Sequence, residues 1–183
     1  MTRLNLGCGP FAPPGWINCD IVDEQGVGVR ADLRRGLPFA VASVDCIAAI
    51  HVLQDLEWVC IAPALDELVR VLKPGGVLRL AVPDLDRAID AYRAGDARYF
   101  YVPDRDARDV GAKLVTQIIW YGSVHTPFTF DFAREWLERA GFREIARCAF
   151  RETRHGDARL VELDNLERES FFVEATKPRA RST

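Results

Sequence analysis

The stretch RLNLGCGPFAPPGWINCD, residues 3–20, decides the fold. It begins as a short apolar strand and continues into Gly7-Cys8-Gly9, where glycines let the backbone approach a ligand at the carboxyl end of a sheet. Asp20 then follows Gly7 by only thirteen residues, and Pro13-Pro14-Gly15 lie between them. A dinucleotide-binding fold carries a long helix at that point. The stretch therefore predicts a nucleotide-type site with a shortened first crossover.

Composition fits a single globular domain. The chain has 183 residues, 49% of them hydrophobic and 28% charged, which is enough to bury one sizeable core. We predict one domain over residues 1–176 and a disordered basic tail over residues 177–183. The sequence shows neither a secretory pattern nor a run of about 20 apolar residues. It therefore predicts a soluble, cytoplasmic protein with no membrane partner.

The net charge and the cysteine spacing limit which partners and metal sites are expected. A formal net charge of -3 and a pI of about 5.7 provide no general basic field for phosphate backbones, so nucleic acid is not expected as a partner. The 5 cysteines form no C-x-x-C pair, which favours reduced thiols over disulfides or a zinc site. The expected partner is a small molecule, and a homodimer is an open alternative to a monomer.

Short apolar runs alternate with amphipathic segments. Brief strands are predicted at Leu4–Leu6, Ile17–Ile21, Val27–Val29, Val44–Ile50 and Val77–Val82. The clearest helix is CIAPALDELVRVLKPGG, with apolar residues three and four apart; Pro63 is expected in its first turn, and Pro74-Gly75-Gly76 ends it. Further helices are predicted from near Asp84 and through FDFAREWLERAGF to Gly141. Strand, helix and strand in this order indicate an α/β fold.

The second half of the chain departs from this alternation. Residues 95–128 are aromatic and partly helical in pattern, and we predict that they form a lid over the acceptor side of the sheet. After Gly141, FREIARCAF and SFFVEATK are typical of two strands joined by a long charged segment. These strands are predicted to form an antiparallel pair that closes the sheet edge.

The glycine loop fits a ligand without phosphates. Residues 7–12 satisfy the loose pattern G-x-G-x-x-A, so a nicotinamide enzyme is one alternative. That fold needs a helix directly after the glycines to hold the pyrophosphate, and the prolines obstruct it. A nucleoside with a charged amino-acid tail needs only close backbone, an acid for its ribose and an apolar slot for its base. S-adenosylmethionine (SAM) is such a ligand.

Two acids follow predicted strands and suit that ligand. Asp20 ends INCD and is placed to accept both ribose hydroxyls, whereas Asp32 and Leu33 are placed to meet adenine. For each acid the alternative is an ordinary turn or capping residue.

The order of motifs resembles the class I SAM-dependent methyltransferases. The resemblance is carried by LNLGCG, INCD, ADL, SVDCIAAIHVL and, most specifically, ELVRVLKPGGVLRLAVPD. It implies a Rossmann-like seven-stranded methyltransferase sheet, mostly parallel with an antiparallel C-terminal strand pair and helices on both faces. It also implies that His51 lies next to the transferred methyl group and that the cofactor contacts are Leu6, Gly7, Cys8, Gly9, Asp20, Asp32, Leu33 and His51.

The sequence departs from the family pattern at three positions. Asn5 stands where many members carry an acid that contacts the methionine amino group, and Gln54 and Asp55 replace the frequent Glu and His of HVLEHL. These departures leave cofactor binding in place but put the inherited catalytic roles in question. A catalytically silent SAM-binding or scaffolding protein is therefore one alternative, and an NAD(P)-dependent oxidoreductase is another.

An alcohol acceptor needs a group that removes its proton, or a divalent cation. His51, His125 and Asp84 are the catalytic candidates, since each follows a predicted strand or lies in the lid. The alternatives are ordinary hydrogen bonding for each histidine and capping of a helix for Asp84. Asp84 with Asp86 is also a candidate site for a hard cation, with Mg²⁺ as an optional cofactor.

The acceptor is the least specified element. The chain resembles small sugar O-methyltransferases that cap methylmannose oligosaccharides, which implies a saccharide or another small polar acceptor. The aromatic residues of the lid could pack on the C–H faces of a sugar, although packing of the lid on the core is the alternative.

Overall fold

The computed structural model describes residues 1–179, which form a seven-stranded sheet in the order β3-β2-β1-β4-β5-β7-β6. The strands are β1 Arg3–Leu6, β2 Ile17–Asp20, β3 Val29–Arg30, β4 Val44–Ile50, β5 Leu72–Pro83, β6 Arg143–Cys148 and β7 Ser170–Thr176. The five neighbouring strands β3, β2, β1, β4 and β5 pair in parallel. Strand β7 pairs antiparallel with both β5 and β6. The predicted sheet, with its antiparallel C-terminal pair, is confirmed.

Four α-helices accompany the sheet in the described chain. They are α1 Trp58–Val71, α2 Leu85–Arg93, α3 Val110–Ile119 and α4 Phe130–Arg139. Pro63 lies inside α1 and not in its first turn, because the helix begins two residues before the predicted start at Cys60. β5 begins earlier than predicted because Leu72 pairs with Val44 ahead of a register shift.

One face of the sheet carries the main core. Helices α1 and α4 pack there on alternate residues of the central strands, and the cluster includes Leu65, Leu137, Leu80 and Phe171. Alternation with period two sends neighbouring residues of the same strands to the opposite face. Ile47 and Ala49 therefore belong to this core, whereas Cys46 and Ala48 belong to the second cluster.

The opposite face is covered by the connection between β6 and β7, residues 149–169, where the fold class predicts α-helices. Leu160 and Leu163 of this connection pack with Trp16 on the second face. Its only helical part in the described chain is a 3₁₀ helix, Ala158–Val161. Arg159 Nη2 donates to the carbonyl of Pro14 at 2.6 Å, which ties the connection to the shortened first crossover. The long connection thus fills the space that the missing first helix leaves.

A buried arginine holds this connection on the sheet. The Arg79 side chain is fully buried, and its guanidinium pairs with Asp164 at 2.5 Å and with Glu174 at 3.2 Å. The same group donates to the carbonyls of Glu152 at 2.9 Å and Ala149 at 3.3 Å. Four of its contacts therefore join β5 to β7 and to both ends of the connection.

The first crossover contains no helix between residues 7 and 16, as the prolines predict. Asn5 and Asn18 lie opposite each other in β1 and β2, and their side chains hydrogen-bond at 3.0 Å. Asn5 Nδ2 also donates to the carbonyl of Phe11 at 2.9 Å, and Asn18 Nδ2 to that of Pro13 at 3.1 Å. Two buried amides therefore shape the proline loop in place of a helix.

The predicted lid, residues 95–128, contains α3 and two 3₁₀ helices, Ala97–Tyr99 and Trp120–Gly122.

The C-terminal tail begins later than predicted. Lys177 was predicted to lie in the disordered tail, but its Nζ donates to the carbonyls of Val69 at 2.6 Å and Leu72 at 2.7 Å. The domain thus extends past residue 176. Residues 180–183 of the predicted tail lie outside the described residues.

The described helices are short. None of those within residues 1–179 has the length and apolar character that a membrane span requires.

Candidate functional site

A cavity of about 290 Å³ opens at the carboxyl edge of β1, β2 and β4. Most of the predicted cofactor residues line it, and they come from four separate parts of the chain. These residues are Leu6, Gly7, Gly9, Asp20, Asp32, Leu33 and His51. The structure therefore brings together what the sequence places up to 45 residues apart.

The conformation of the glycine loop depends on the absence of side chains at Gly7 and Gly9. Gly7 has a φ of +67°, and a Cβ there would lie 2.4 Å from Cγ2 of Val52, so no larger residue fits without a shift. Gly9 has a φ of +49°, and no atom lies within 4 Å of the position of its Cβ. Its N–H donates to Oδ2 of Asp20 at 2.8 Å. Gly9 thus leaves open the space in the cavity that a side chain would occupy.

Two nearby residues do not line this cavity. Cys8 was predicted as a cofactor contact, but its side chain is buried, and burial raises the pKa of its thiol. Asn5 is buried as well and is committed to the proline loop. A contact from Cys8 would have to come from its backbone.

The two predicted acids differ in their partners. The carboxylate of Asp20 accepts hydrogen bonds only from the backbone N–H groups of Gly9 and Val22 among the described residues, so its oxygens retain lone pairs for a ligand. Asp32 caps a 3₁₀ helix, Leu33–Arg35, and also forms two hydrogen bonds of 2.9 Å with the Arg34 guanidinium. The Arg34 hydrogen bonds hold the pKa of Asp32 below its usual range. Asp32 therefore has the capping role that was its alternative, on the wall of the cavity.

An apolar wall was missed by sequence reasoning. It consists of Ile21, Ala31, Val52 and Leu56. The sequence signal that could have predicted these residues is their position next to predicted site residues. Ile21 directly follows Asp20, Ala31 precedes Asp32 and Val52 follows His51. Together with Leu33, these side chains form a slot beside Asp20 that is suited to a flat, weakly polar ring.

His51 lies at the end of β4 with a strained backbone. Its φ is +57°, a conformation that is uncommon for residues other than glycine. Its Nε2 lies 3.0 Å from Oγ of Ser170 at the start of β7. Burial lowers the pKa of its imidazole to about 4, so the ring is neutral at pH 7. One of its two ring nitrogens therefore has a lone pair that can accept a proton.

This shift makes stability depend on pH. Between pH 6.5 and pH 4 the unfolded chain protonates His51 while the folded protein does not, so stability falls as pH falls through that window. At 1.36 kcal/mol per pKa unit, the loss between pH 6.5 and pH 5 is roughly 2 kcal/mol. We expect His51→Asn, which tolerates a positive φ, to show a correspondingly smaller loss in urea unfolding at the two pH values. Equal losses in both proteins would contradict this assignment.

The other catalytic candidates lie apart from the cavity wall. His125 is exposed in the lid, and its backbone N–H donates to the carbonyl of Gln54 at 2.8 Å. Desolvation raises the pKa of the Asp55 carboxyl, and the neighbouring His125 opposes that shift only in part. Asp55 itself lines the cavity. The mouth of the cavity therefore has a carboxylate with a histidine close by.

Asp84 occupies a structural position. It is buried, accepts from the N–H of Arg87 as the N-cap of α2, and pairs with the guanidiniums of Arg87 and Arg147. Asp86 is exposed on the same helix. Within residues 1–179 no three His, Cys, Asp or Glu side chains are grouped to hold a metal ion. The expected Mg²⁺ site at Asp84 and Asp86 is therefore not supported.

The site fits a nucleoside without phosphates. No helix begins at the glycine loop, so the cavity lacks the N-terminal dipole that binds a pyrophosphate in dinucleotide folds. Its one lining guanidinium, that of Arg34, is paired with Asp32. The nicotinamide alternative has no support from this geometry.

The seven-stranded sheet and its helices match the Rossmann-like methyltransferase fold. Residues 16–80 match the family model of the methyltransferase domain. No curated protein matches the chain significantly. The similar solved structures carry less than 20% identity and show the fold. The family match covers about a third of the chain, and over residues 16–80 the chain is similar to a methyltransferase domain.

Three of these structures cover nearly the whole chain. A SAM-dependent methyltransferase from Thermotoga maritima, described as a possible histamine N-methyltransferase, has 16% identity over 96% of this chain and 82% of its own, with a TM-score of 0.59. One from Methanosarcina mazei has 18% identity over 98% and 93%, with a TM-score of 0.59. A putative methyltransferase in complex with the Trm112 activator from Haloferax volcanii has 17% identity over 100% and 84%, with a TM-score of 0.57.

Proposed function

We propose that the protein transfers the methyl group of SAM to a hydroxyl of a saccharide or another small polar acceptor. The observation that carries the proposal is the cavity that joins the glycine loop, Asp20 and His51. SAM supplies an electrophilic methyl group on a sulfonium, so the protein has to bind, align and desolvate the two reactants.

Different residues of the cavity bind the ribose, the adenine and the methionine part of the cofactor. Asp20 accepts the ribose hydroxyls, because its carboxylate ends β2 beside the glycine loop. The adenine lies in the slot of Ile21, Leu33 and Leu56, with Asp32 at its edge. The backbone of Gly7 and Gly9 contacts the methionine part, since both residues line the cavity without a side chain.

His51 takes the proton of the acceptor hydroxyl. Of the three histidines, all within residues 1–179, it alone lines the cavity, and its neutral ring can accept a proton. Its left-handed backbone turns the imidazole toward Ser170 and the cavity, which is the kind of strain found at functional sites. His125 and Asp55, at the mouth, contact the acceptor on its other side.

The lid contributes part of the acceptor site. The C-terminal end of the lid is anchored to the rest of the domain by a hydrogen bond. Thr126 Oγ1 donates to the carbonyl of Leu56 at 2.7 Å, at the rim of the cavity. Tyr101, Trp120 and Tyr121 are exposed, as a platform for a sugar requires, whereas Phe100 is buried in lid packing. The exposed three are the candidates for contact with an acceptor.

The cofactor assignment is tested by calorimetry with S-adenosylhomocysteine. We expect Asp20→Ala to weaken binding by about 10- to 100-fold, since it removes hydrogen bonds to a charged acceptor worth roughly 1.5–3 kcal/mol. Asp23→Ala is the matched control, because Asp23 is exposed in the following turn and does not line the cavity. Equal affinities for wild type and Asp20→Ala would reject the ribose contact.

The acceptor is tested by transfer of label. Purified protein is incubated with methyl-labelled SAM and a panel of mannosides, flavonoids and fatty acids, with and without Mg²⁺. We expect label in the mannosides and no dependence on Mg²⁺, since no metal site is formed within the described residues. Label that enters only non-sugar acceptors would reject the saccharide.

A further inference from the structure

A second cavity, of about 540 Å³, lies beyond His51 at the same edge of the sheet. It is bounded by α2, by the start of β7 and by the end of β6, and Arg87, Arg147 and Arg168 line it. The volume is that of a small-molecule site. We name this space the arginine cavity.

The arginine cavity adjoins the cofactor cavity through one side-chain pair. β5 lies between β4 and β7 in the sheet, and His51 reaches past the end of β5 to within 3.0 Å of Ser170 Oγ. His51 lines the cofactor cavity, and Ser170 lines the arginine cavity. A molecule in the arginine cavity therefore lies next to the residue proposed to take the proton.

The arginine cavity has one guanidinium available to an anion, that of Arg168. Three guanidiniums and two carboxylates, Asp90 and Glu167, line the cavity, and the buried Asp84 balances the remaining positive charge. Arg87 and Arg147 are paired with the buried Asp84, yet both side chains remain partly exposed. Arg168 forms no salt bridge with a described residue; its guanidinium lies 4.1 Å from the centroid of the Tyr101 ring. Stacking of this kind orients the guanidinium and leaves its N–H donors free for an oxyanion.

An unpartnered hydroxyl points to the same ligand. The Tyr99 hydroxyl is buried, has no hydrogen-bond partner among residues 1–179 and belongs to a residue that lines the arginine cavity. Burial is the largest cause of the raised pKa of Tyr99, so the hydroxyl keeps its proton and acts as a donor at neutral pH. A buried donor without an acceptor is costly, and an oxyanion in the cavity would satisfy it.

We propose that the arginine cavity binds an oxyanion, carboxylate or phosphate, carried by the methyl acceptor, with Arg168 and Tyr99 as its specificity-determining contacts. The inference rests on the proposed function and names its substrate class as an acidic or phosphorylated acceptor. The anionic group lies among the guanidiniums, and the reacting hydroxyl extends past Ser170 toward His51.

The experiment measures binding and needs no turnover. Mannose 6-phosphate, mannuronate and mannose are titrated by calorimetry into the full chain. We expect both charged sugars to bind at least tenfold tighter than mannose, and the tighter of the two identifies phosphate or carboxylate as the source. Arg168→Gln and Tyr99→Phe should each weaken the charged sugars about tenfold, which corresponds to ~1.4 kcal/mol.

Two matched variants control for charge and for the aromatic ring. Arg98→Gln removes a charge from a side chain that is 94% exposed, and Tyr92→Phe removes a hydroxyl from α2 outside the arginine cavity. Both should bind like wild type. Equal affinity for mannose and the charged sugars, or equal losses in Arg98→Gln and Arg168→Gln, would overturn the proposal.

Affinity for S-adenosylhomocysteine separates the two proposals. We expect all four variants to bind it like wild type, because none of the substituted residues lines the cofactor cavity. Failure of wild type to bind it overturns the proposed function, and the sugar titrations still decide whether the arginine cavity selects anions.

Discussion

Replacement of Arg79 by methionine is expected to lower the free energy of unfolding by about 3–5 kcal/mol. The substitution leaves Asp164 and Glu174 buried without their cation, and breaking one side of a buried ion pair has effects of this size. It also removes the two hydrogen bonds to the carbonyls of Ala149 and Glu152 at the start of the β6–β7 connection. Urea unfolding followed by circular dichroism at pH 7 measures the loss.

Two further variants show whether the cause is the uncompensated charge. The triple variant Arg79→Met, Asp164→Asn, Glu174→Gln removes all three charges and should recover part of the stability. Arg98→Met, on an exposed side chain, should change stability by less than about 0.5 kcal/mol. A loss below about 1 kcal/mol for Arg79→Met would show that Arg79 does not hold the connection on the sheet.

Replacement of His51 by asparagine is expected to reduce kcat by roughly 10²- to 10⁴-fold, the range that a positioned general base contributes. Asparagine tolerates the positive φ of this position, so the backbone turn is retained. Affinity for S-adenosylhomocysteine should stay within about twofold, because the ribose and adenine contacts come from other residues. Turnover is measured on the acceptor that the label assay identifies.

The other histidines separate proton removal from binding. His125→Gln should mainly raise KM, since His125 lies at the mouth and not on the cavity wall. His155→Asn should match wild type, because His155 lies in the β6–β7 connection, away from the cofactor cavity. If His51→Asn keeps the full rate, the assignment of proton removal to His51 is wrong.

Much of the fold was predictable because its signals are local. Apolar spacing of three and four residues predicted α1, and the strand pattern of residues 44–50 matched β4 throughout. The site was partly predictable for a related reason. Parallel strands bring their carboxyl ends to one edge, so residues directly after strands, such as Gly7 and Asp20, meet there.

The remaining features depend on contacts between distant residues. Asp84 and Asp32 have sequence positions that fit either chemistry or capping, and only their arginine partners decide the matter. Arg147 and Asp84 are 63 residues apart, so no periodicity indicates that they pair. The second cavity could not be predicted either, since its walls come from α2, β6, β7 and the lid.

The sequence by itself determined the alternation of strands and helices, the absence of a helix in the first crossover and the glycines and acids that end the first strands. These follow from short-range patterns of apolar residues, glycines and prolines, which act on neighbouring backbone. Only the tertiary structure decided what covers the second face of the sheet, opposite helices α1 and α4. There the β6–β7 connection replaces the missing helix, because Arg79 in β5 forms ion pairs with carboxylates 85 and 95 residues away.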